Sequence, residues 1–115
     1  MAAITITGGN IADQTLVLSD NGNTVANRGE IVTWNVRPGQ GTVVASIHQI
    51  KNYSSSRDVF KPDPHSLGSG NSPNWQGTIN PDLTPLPATE TYYIEWMDTS
   101  GGGPWTYDPQ ITVNR

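Results

Sequence analysis

Apolar and polar residues alternate one for one along much of this chain, and that period of two constrains the fold before anything else does. Ala3-Ile-Thr-Ile-Thr7 alternates, as do the runs from Ile31 to Val36 and from Tyr92 to Met97, while Ile111 and Val113 share a face near the end. β-Branched and aromatic residues fill these runs, which suits a pleated surface buried on one side. No window of a dozen residues carries the i, i+3, i+4, i+7 pattern of an amphipathic helix. The chain is therefore expected to be all-β, with strands near residues 3–7, 15–19, 30–36, 43–50, 57–60, 75–79, 90–97 and 109–114. Seven or eight short strands broken by frequent turns indicate one antiparallel β-sandwich domain over residues 1–115. The alternation selects Val32, Trp34, Val36, Ile47, Ile94, Trp96, Ile111 and Val113 as inward-facing, with Ile47 taken in preference to the face of Ile50.

Turn chemistry supports this reading. Asp20-Asn-Gly-Asn23 holds an Asn-Gly pair, whose tolerance of positive φ suits a tight hairpin. Arg37-Pro-Gly-Gln-Gly41 sets Pro where φ is fixed and Gly where it must be positive, and is expected to join strand 30–36 to strand 43–50 as an antiparallel hairpin. Residues 61–89 differ in kind: they hold prolines 62, 64, 73, 81, 85 and 87 and few apolar side chains beyond Trp75 and Ile79. Proline cannot donate to a ladder, so this region is expected to be long loops with one edge strand. Long loops on a rigid scaffold are where binding commonly resides.

Charge and composition exclude several classes. The chain has 6 basic and 10 acidic residues, a net charge of −4, and the cations are scattered. Nucleic acid and anionic lipid both select clustered cations, so neither is an expected partner. No apolar run approaches a membrane span and no basic-then-apolar leader opens the chain, so a soluble protein without an export signal in the given sequence is expected, its compartment left open. There is no Cys, which removes disulfides and thiol nucleophiles. The 4 Trp and 4 Tyr supply the bulk that a thin aliphatic core lacks.

Two motif strands carry a family resemblance. Arg28-Gly-Glu-Ile-Val-Thr-Trp34-Asn-Val36 precedes Thr91-Tyr-Tyr-Ile-Glu-Trp96-Met97, a glycine-rich loop and Asp108-Pro-Gln-Ile-Thr-Val-Asn114. That order resembles the cupredoxin-like sandwich, in which a G-[DE]-x-V-x-[WF] strand precedes a Y-x-[YF]-x-C strand bearing the copper thiolate. Trp96 stands where the cysteine is expected, and no histidine follows it in the loop from Asp98 to Pro104. His48 lies roughly where the family carries its first histidine. The resemblance, covering residues 1–60 and 88–115, implies a copper-free relative of cupredoxin-like or immunoglobulin-like type, with Trp96 filling the ligand cavity. It also implies that Trp105, Tyr107 and Asp98 lie near the end once used for copper.

Catalytic signatures are few. No G-x-S-x-G is present, no spacing signals paired carboxylates, and Gly101-Gly-Gly103 lacks the Gly-Lys-Ser/Thr of a phosphate loop. His48 and His65, with Asp58 or Asp63 nearby in sequence, leave open a small metal-dependent enzyme, although Lys61-Pro-Asp-Pro-His65 lacks paired-ligand spacing. Asn52-Tyr-Ser54 matches a glycosylation triplet that nothing else in the chain supports. Tryptophans set among small and amide side chains are the more informative signal, in Ser69-Gly-Asn-Ser-Pro-Asn-Trp75 and in Ser100-Gly-Gly-Gly-Pro-Trp105-Thr-Tyr107-Asp108. Such rings cover sugar C–H faces, serve as protein hot spots, or plug the ends of a small β domain. The expectation is a non-catalytic binding or structural module without a cofactor, meeting a protein or glycan surface, with a carbohydrate-binding lectin-like domain as the alternative. Trp105 leads the ligand-binding candidates, followed by Trp75, Tyr107 and Asp98.

Overall fold

The computed structural model describes residues 2–20, 22–37, 43–52, 57–68 and 73–115. Among them no helix forms, so none is long and apolar enough to cross a membrane. Ten strands form: β1 (Ala2–Asn10), β2 (Thr15–Leu18), β3 (Asn23–Ala26), β4 (Ile31–Val36), β5 (Val44–Asn52), β6 (His65–Ser66), β7 (Asn74–Thr78), β8 (Ala88–Asp98), β9 (Trp105–Tyr107) and β10 (Gln110–Val113). One sheet has the order β2-β1-β4-β7-β6, the other β3-β10-β8-β5 with β9 also paired to β8.

The all-β expectation holds, with three differences in detail. Residues 57–60 make only an isolated bridge, Phe60 to Ile79, whereas the short β3, β6 and β9 appear where no alternation announces them. The sheets are mixed rather than antiparallel, because β1 runs parallel to β4 and β10 runs parallel to β3. Neither expected hairpin forms. β2 and β3 lie in different sheets, and so do β4 and β5, so both turn signals mark places where the chain changes sheet. Gly22, at φ 80°, supplies the left-handed conformation anticipated at the first of these crossings. Asn21 and residues 38–42 lie outside the described residues.

All eight expected inward positions are buried, and both sheets contribute to one core. The two motif strands meet there. The Trp34 indole on β4 donates to the Tyr92 hydroxyl on β8 at 3.1 Å, and Phe60 completes a cluster of three tilted or edge-on rings. Such ring pairs add about 0.5–1.5 kcal/mol each beyond the area they bury. The Tyr92 hydroxyl also bonds Thr24, whose own hydroxyl donates to Asp20, so the buried polar atoms among the described residues are all satisfied. Burial pushes the Tyr92 phenol far above its ordinary range, which keeps it a neutral hydrogen-bonding group.

β5 departs from the two-residue rhythm. Ala45 and His48 are each extra residues against β8, and the two bulges turn the burial period into three, so that Val44, Ile47 and Ile50 all face the core. Ile47 and Ile50 are therefore not alternatives, because a bulge between them restores the face. At the far end of β1, Gly9 lets the backbone close over the core: a Cβ there would stand 2.8 Å from Val44 Cγ2 and 3.2 Å from Trp96 Cη2.

Candidate functional site

The inward face of β8 reads Ala88, Glu90, Tyr92, Ile94, Trp96, Asp98, so strict alternation places one carboxylic acid at each end of an otherwise apolar row. The surroundings of these two acids differ, and the difference defines the candidate sites.

At the C-terminal end, Asp98 is 4% exposed and organises its own loop. Its Oδ1 accepts from Ser100 N at 2.8 Å, Ser100 Oγ at 2.5 Å and Gly102 N at 3.0 Å, while Oδ2 accepts from Trp105 Nε1 at 2.8 Å. The Ser100 hydroxyl first, then the Trp105 indole, hold this carboxyl down at about 2, below the usual aspartate value. Trp105 is half-buried and leans on Trp96, ring centroids 6.5 Å apart. Trp96 is fully buried and donates through Nε1 to Gln14 O, and the Gln14 side chain in turn accepts from Thr106 N. Tyr107, half-buried on the same side of β9 as Trp105, brings its hydroxyl within 2.9 Å of where a Gly22 Cβ would lie. Of the four residues singled out in the sequence, Trp105 thus leans on Trp96 and bonds Asp98, while Tyr107 reaches toward Gly22.

Trp75 belongs elsewhere. It lies on β7, 7% exposed, with Nε1 donating to Ile47 O at 3.2 Å across to β5. There it borders a cleft of about 500 Å³ at the margin where β6 ends one sheet and β5 ends the other. The cleft is lined by Gln49, Ile50, Lys51 and Asn52 of β5, by Asp58, Asp63 and Pro64 of the connecting segment, by His65 and Ser66 of β6, and by Glu90 of β8. Its size falls within the roughly 300–1,000 Å³ typical of small-ligand sites.

The acids of this cleft influence one another. Glu90 is 1% exposed; its Oε1 accepts from Val59 N at 2.8 Å and its carboxyl also bonds Asn52. Burial raises the carboxyl to about 7, with Asp58 and Asp63 pushing the same way and the Val59 and Asn52 hydrogen bonds pulling back. Asp63 is raised by burial first, and then by the neighbouring charge of Asp58. Asp58 and Asp63 thus lie near enough to influence each other at one cleft, a proximity for which no sequence spacing gives a sign. The Asp58 side chain is fixed by accepting from Phe60 N at 3.1 Å. The nearby Arg57 guanidinium is directed away from these acids, donating to the carbonyls of Pro85 and Thr84 at 2.7 and 2.8 Å.

Among the described residues no three His, Asp or Glu side chains gather in a way that could hold a metal ion. His48 is exposed on its bulge, while His65 Nδ1 lies 3.1 Å from the Asp63 carbonyl. Most of the 69–75 loop and part of the Asn52-Tyr-Ser54 triplet lie outside the described residues. Glu90 does carry a sequence signal, being in phase with Tyr92, Ile94 and Trp96. Asp58 and Asp63 carry none, because only the folded path of residues 57–64 brings them together. Neither protein-family models nor curated protein sequences give a match to this chain.

Proposed function

We propose that the chain is a non-catalytic recognition module on a copper-free, cupredoxin-like β-sandwich, and that its ligand seat is the cleft between the edges of β5 and β6. The carrying observation is that Glu90, Asp58 and Asp63 converge there on a cavity of about 500 Å³. The Asp98 carboxylate, by contrast, is taken up by four donors from its own loop. The cupredoxin-like reading draws support from Trp34 and Tyr92, the motif residues of β4 and β8, which bond each other between the sheets. It also draws on Trp96, fully buried at the position where the family carries its copper thiolate.

Amide chemical-shift mapping against a mixed panel of short peptides, oligosaccharides and small polar molecules tests this assignment. Ligand-induced shifts should concentrate on residues 49–52, 63–66 and Glu90. Shifts concentrated instead on Trp105 and Tyr107 would move the site to the opposite end of β8. That outcome would favour the carbohydrate-binding alternative, for which the half-buried rings on one face of β9 are the supporting feature.

A further inference from the structure

The cleft lies between two strand edges, and its floor carries more negative than positive charge. β5 has β8 on one side and no strand on the other among the described residues, and β6 likewise ends its sheet. The Ile47 carbonyl of β5 is taken by the Trp75 indole, and the stretch beyond it, Gln49–Asn52, lines the cleft. Four residues of extended chain span about 13 Å, so a partner strand of four or five residues matches this run. Natural edge strands are usually short, charged or covered, because their unpaired backbone groups accept a further strand. Here the run borders a cleft instead.

Charge selects the occupant. Asp58 and Asp63 of the connecting segment and Glu90 of β8 all line the cleft, Asp58 close enough to raise the cost of charge on Asp63, and Arg57 is spent on backbone carbonyls. Lys51 is engaged on its own strand: with the Gln49 amide oriented to satisfy both neighbours, Gln49 donates to Glu95 at 2.9 Å and accepts from Lys51 Nζ at 3.2 Å. Two carboxyls that face each other gain from a shared cation. In strand addition, backbone bonds supply affinity and alternate side-chain pockets supply specificity.

Resting on the reading of this cleft as the ligand seat, we infer that it receives an extended basic peptide segment of a partner protein. The segment adds to β5 alongside Gln49–Asn52 and seats one Lys or Arg side chain between Asp58 and Asp63. The bound segment bridges the β5 and β6 edges.

The probe is an N-acetylated, amidated Thr-Val-Lys-Val-Thr peptide titrated to about 1 mM, the weak end of specific affinity, with amide shifts as readout. Three controls accompany it: the same peptide with Glu in place of Lys, the same peptide N-methylated on alternate amides, and N-acetyl-lysine methylamide alone. The parent peptide should shift residues 49–52 and 65–66, and the double variant Asp58→Asn, Asp63→Asn should weaken it about tenfold or more. Asparagine keeps the oxygen that accepts from Phe60 N, and an unchanged thermal melt verifies that the variant is folded. Equal binding by the N-methylated peptide or by the lysine derivative alone overturns strand addition. Equal binding by the Glu peptide overturns the charge selection. Should the peptides give no shifts while sugars or other small molecules shift the same residues, this inference falls and the cleft stands as the ligand seat. Silence from the whole panel removes both.

Discussion

Replacing Glu90 by glutamine isolates the most consequential electrostatic feature of the molecule. The amide side chain retains a carbonyl oxygen to accept from Val59 N and removes the ionisation that burial opposes. The glutamic acid passes from 4.5 unfolded to about 7 folded. At 1.36 kcal/mol per pKa unit, that difference amounts to about 3 kcal/mol. The sign follows from proton counting. The folded state holds the proton more tightly, so the stability is fully present below pH 4.5 and is lost as pH rises toward about 7. Urea unfolding of wild type should therefore show stability falling by about 3 kcal/mol between about pH 4.5 and about pH 7.5, with Asp63 adding in the same direction. The Glu90→Gln variant should lack most of this slope, matching wild type near pH 4 and exceeding it by up to about 3 kcal/mol near pH 8. Taking the difference between the two proteins at each pH cancels the titration of groups they share. A flat difference curve, or a variant less stable than wild type at about pH 8, would refute the claim that Glu90 is buried against its charge.

Other perturbations probe the scaffold. Trp96→Ala removes a fully buried indole and its bond to Gln14, and should cost about 3–5 kcal/mol in denaturant melts; a loss under about 1 kcal/mol would reject its core placement. Gly9→Ala sets a methyl 2.8 Å from Val44 Cγ2 beside the Trp96 ring and should destabilise by about 1–3 kcal/mol by the same assay, whereas Gly8→Ala, with 3.8 Å to its nearest neighbour, should be close to neutral. Asp98→Asn addresses the acid limb. Wild type should lose stability as pH falls from 3.8 toward about 2, where this carboxylate takes up its proton, and the variant should lose less over that window while its Trp105 fluorescence reports a loosened loop.

The parts of the fold that are legible in the sequence are those where one rule acts alone. β4 and β8 are buried on one face and keep an unbroken register, β4 with β7 and β8 with β9 from Ile94 to Trp96, so counting by twos finds Trp34, Ile94 and Trp96. β5 obeys the same rule twice broken by bulges, and nothing in Val44–Asn52 marks Ala45 or His48 as the extra residues. Turn residues say that a chain bends, not which sheet it enters next, so the Gly22 crossing reads as a hairpin. β6 and β9, of 2 and 3 residues, are too short to display a period and exist because β7 and β8 offer them edges. Trp75 stands out in the sequence by its polar surroundings, yet its indole faces inward to Ile47, and it is the acids beside it that define the cleft.

The two inward acids of β8 make opposite use of the same backbone geometry. Asp98 meets four donors within one loop, so its charge is matched internally. Glu90 meets two hydrogen-bond partners and two further acids, and burial raises its carboxyl to about 7, where a nearby charge can tip its protonation. Linkage then works in both directions: a cation seated near Asp58 and Asp63 favours ionised Glu90, and ionised Glu90 favours the cation. Affinity for the Lys-bearing peptide should consequently rise with pH across the window in which wild-type stability falls, and bound peptide should flatten that fall. Isothermal titration at about pH 5 and about pH 8 measures the first effect, with the Glu90→Gln variant expected to show a shallower dependence. Equal affinity at the two pH values in wild type would mean that the proton on Glu90 and the occupant of the cleft do not sense each other.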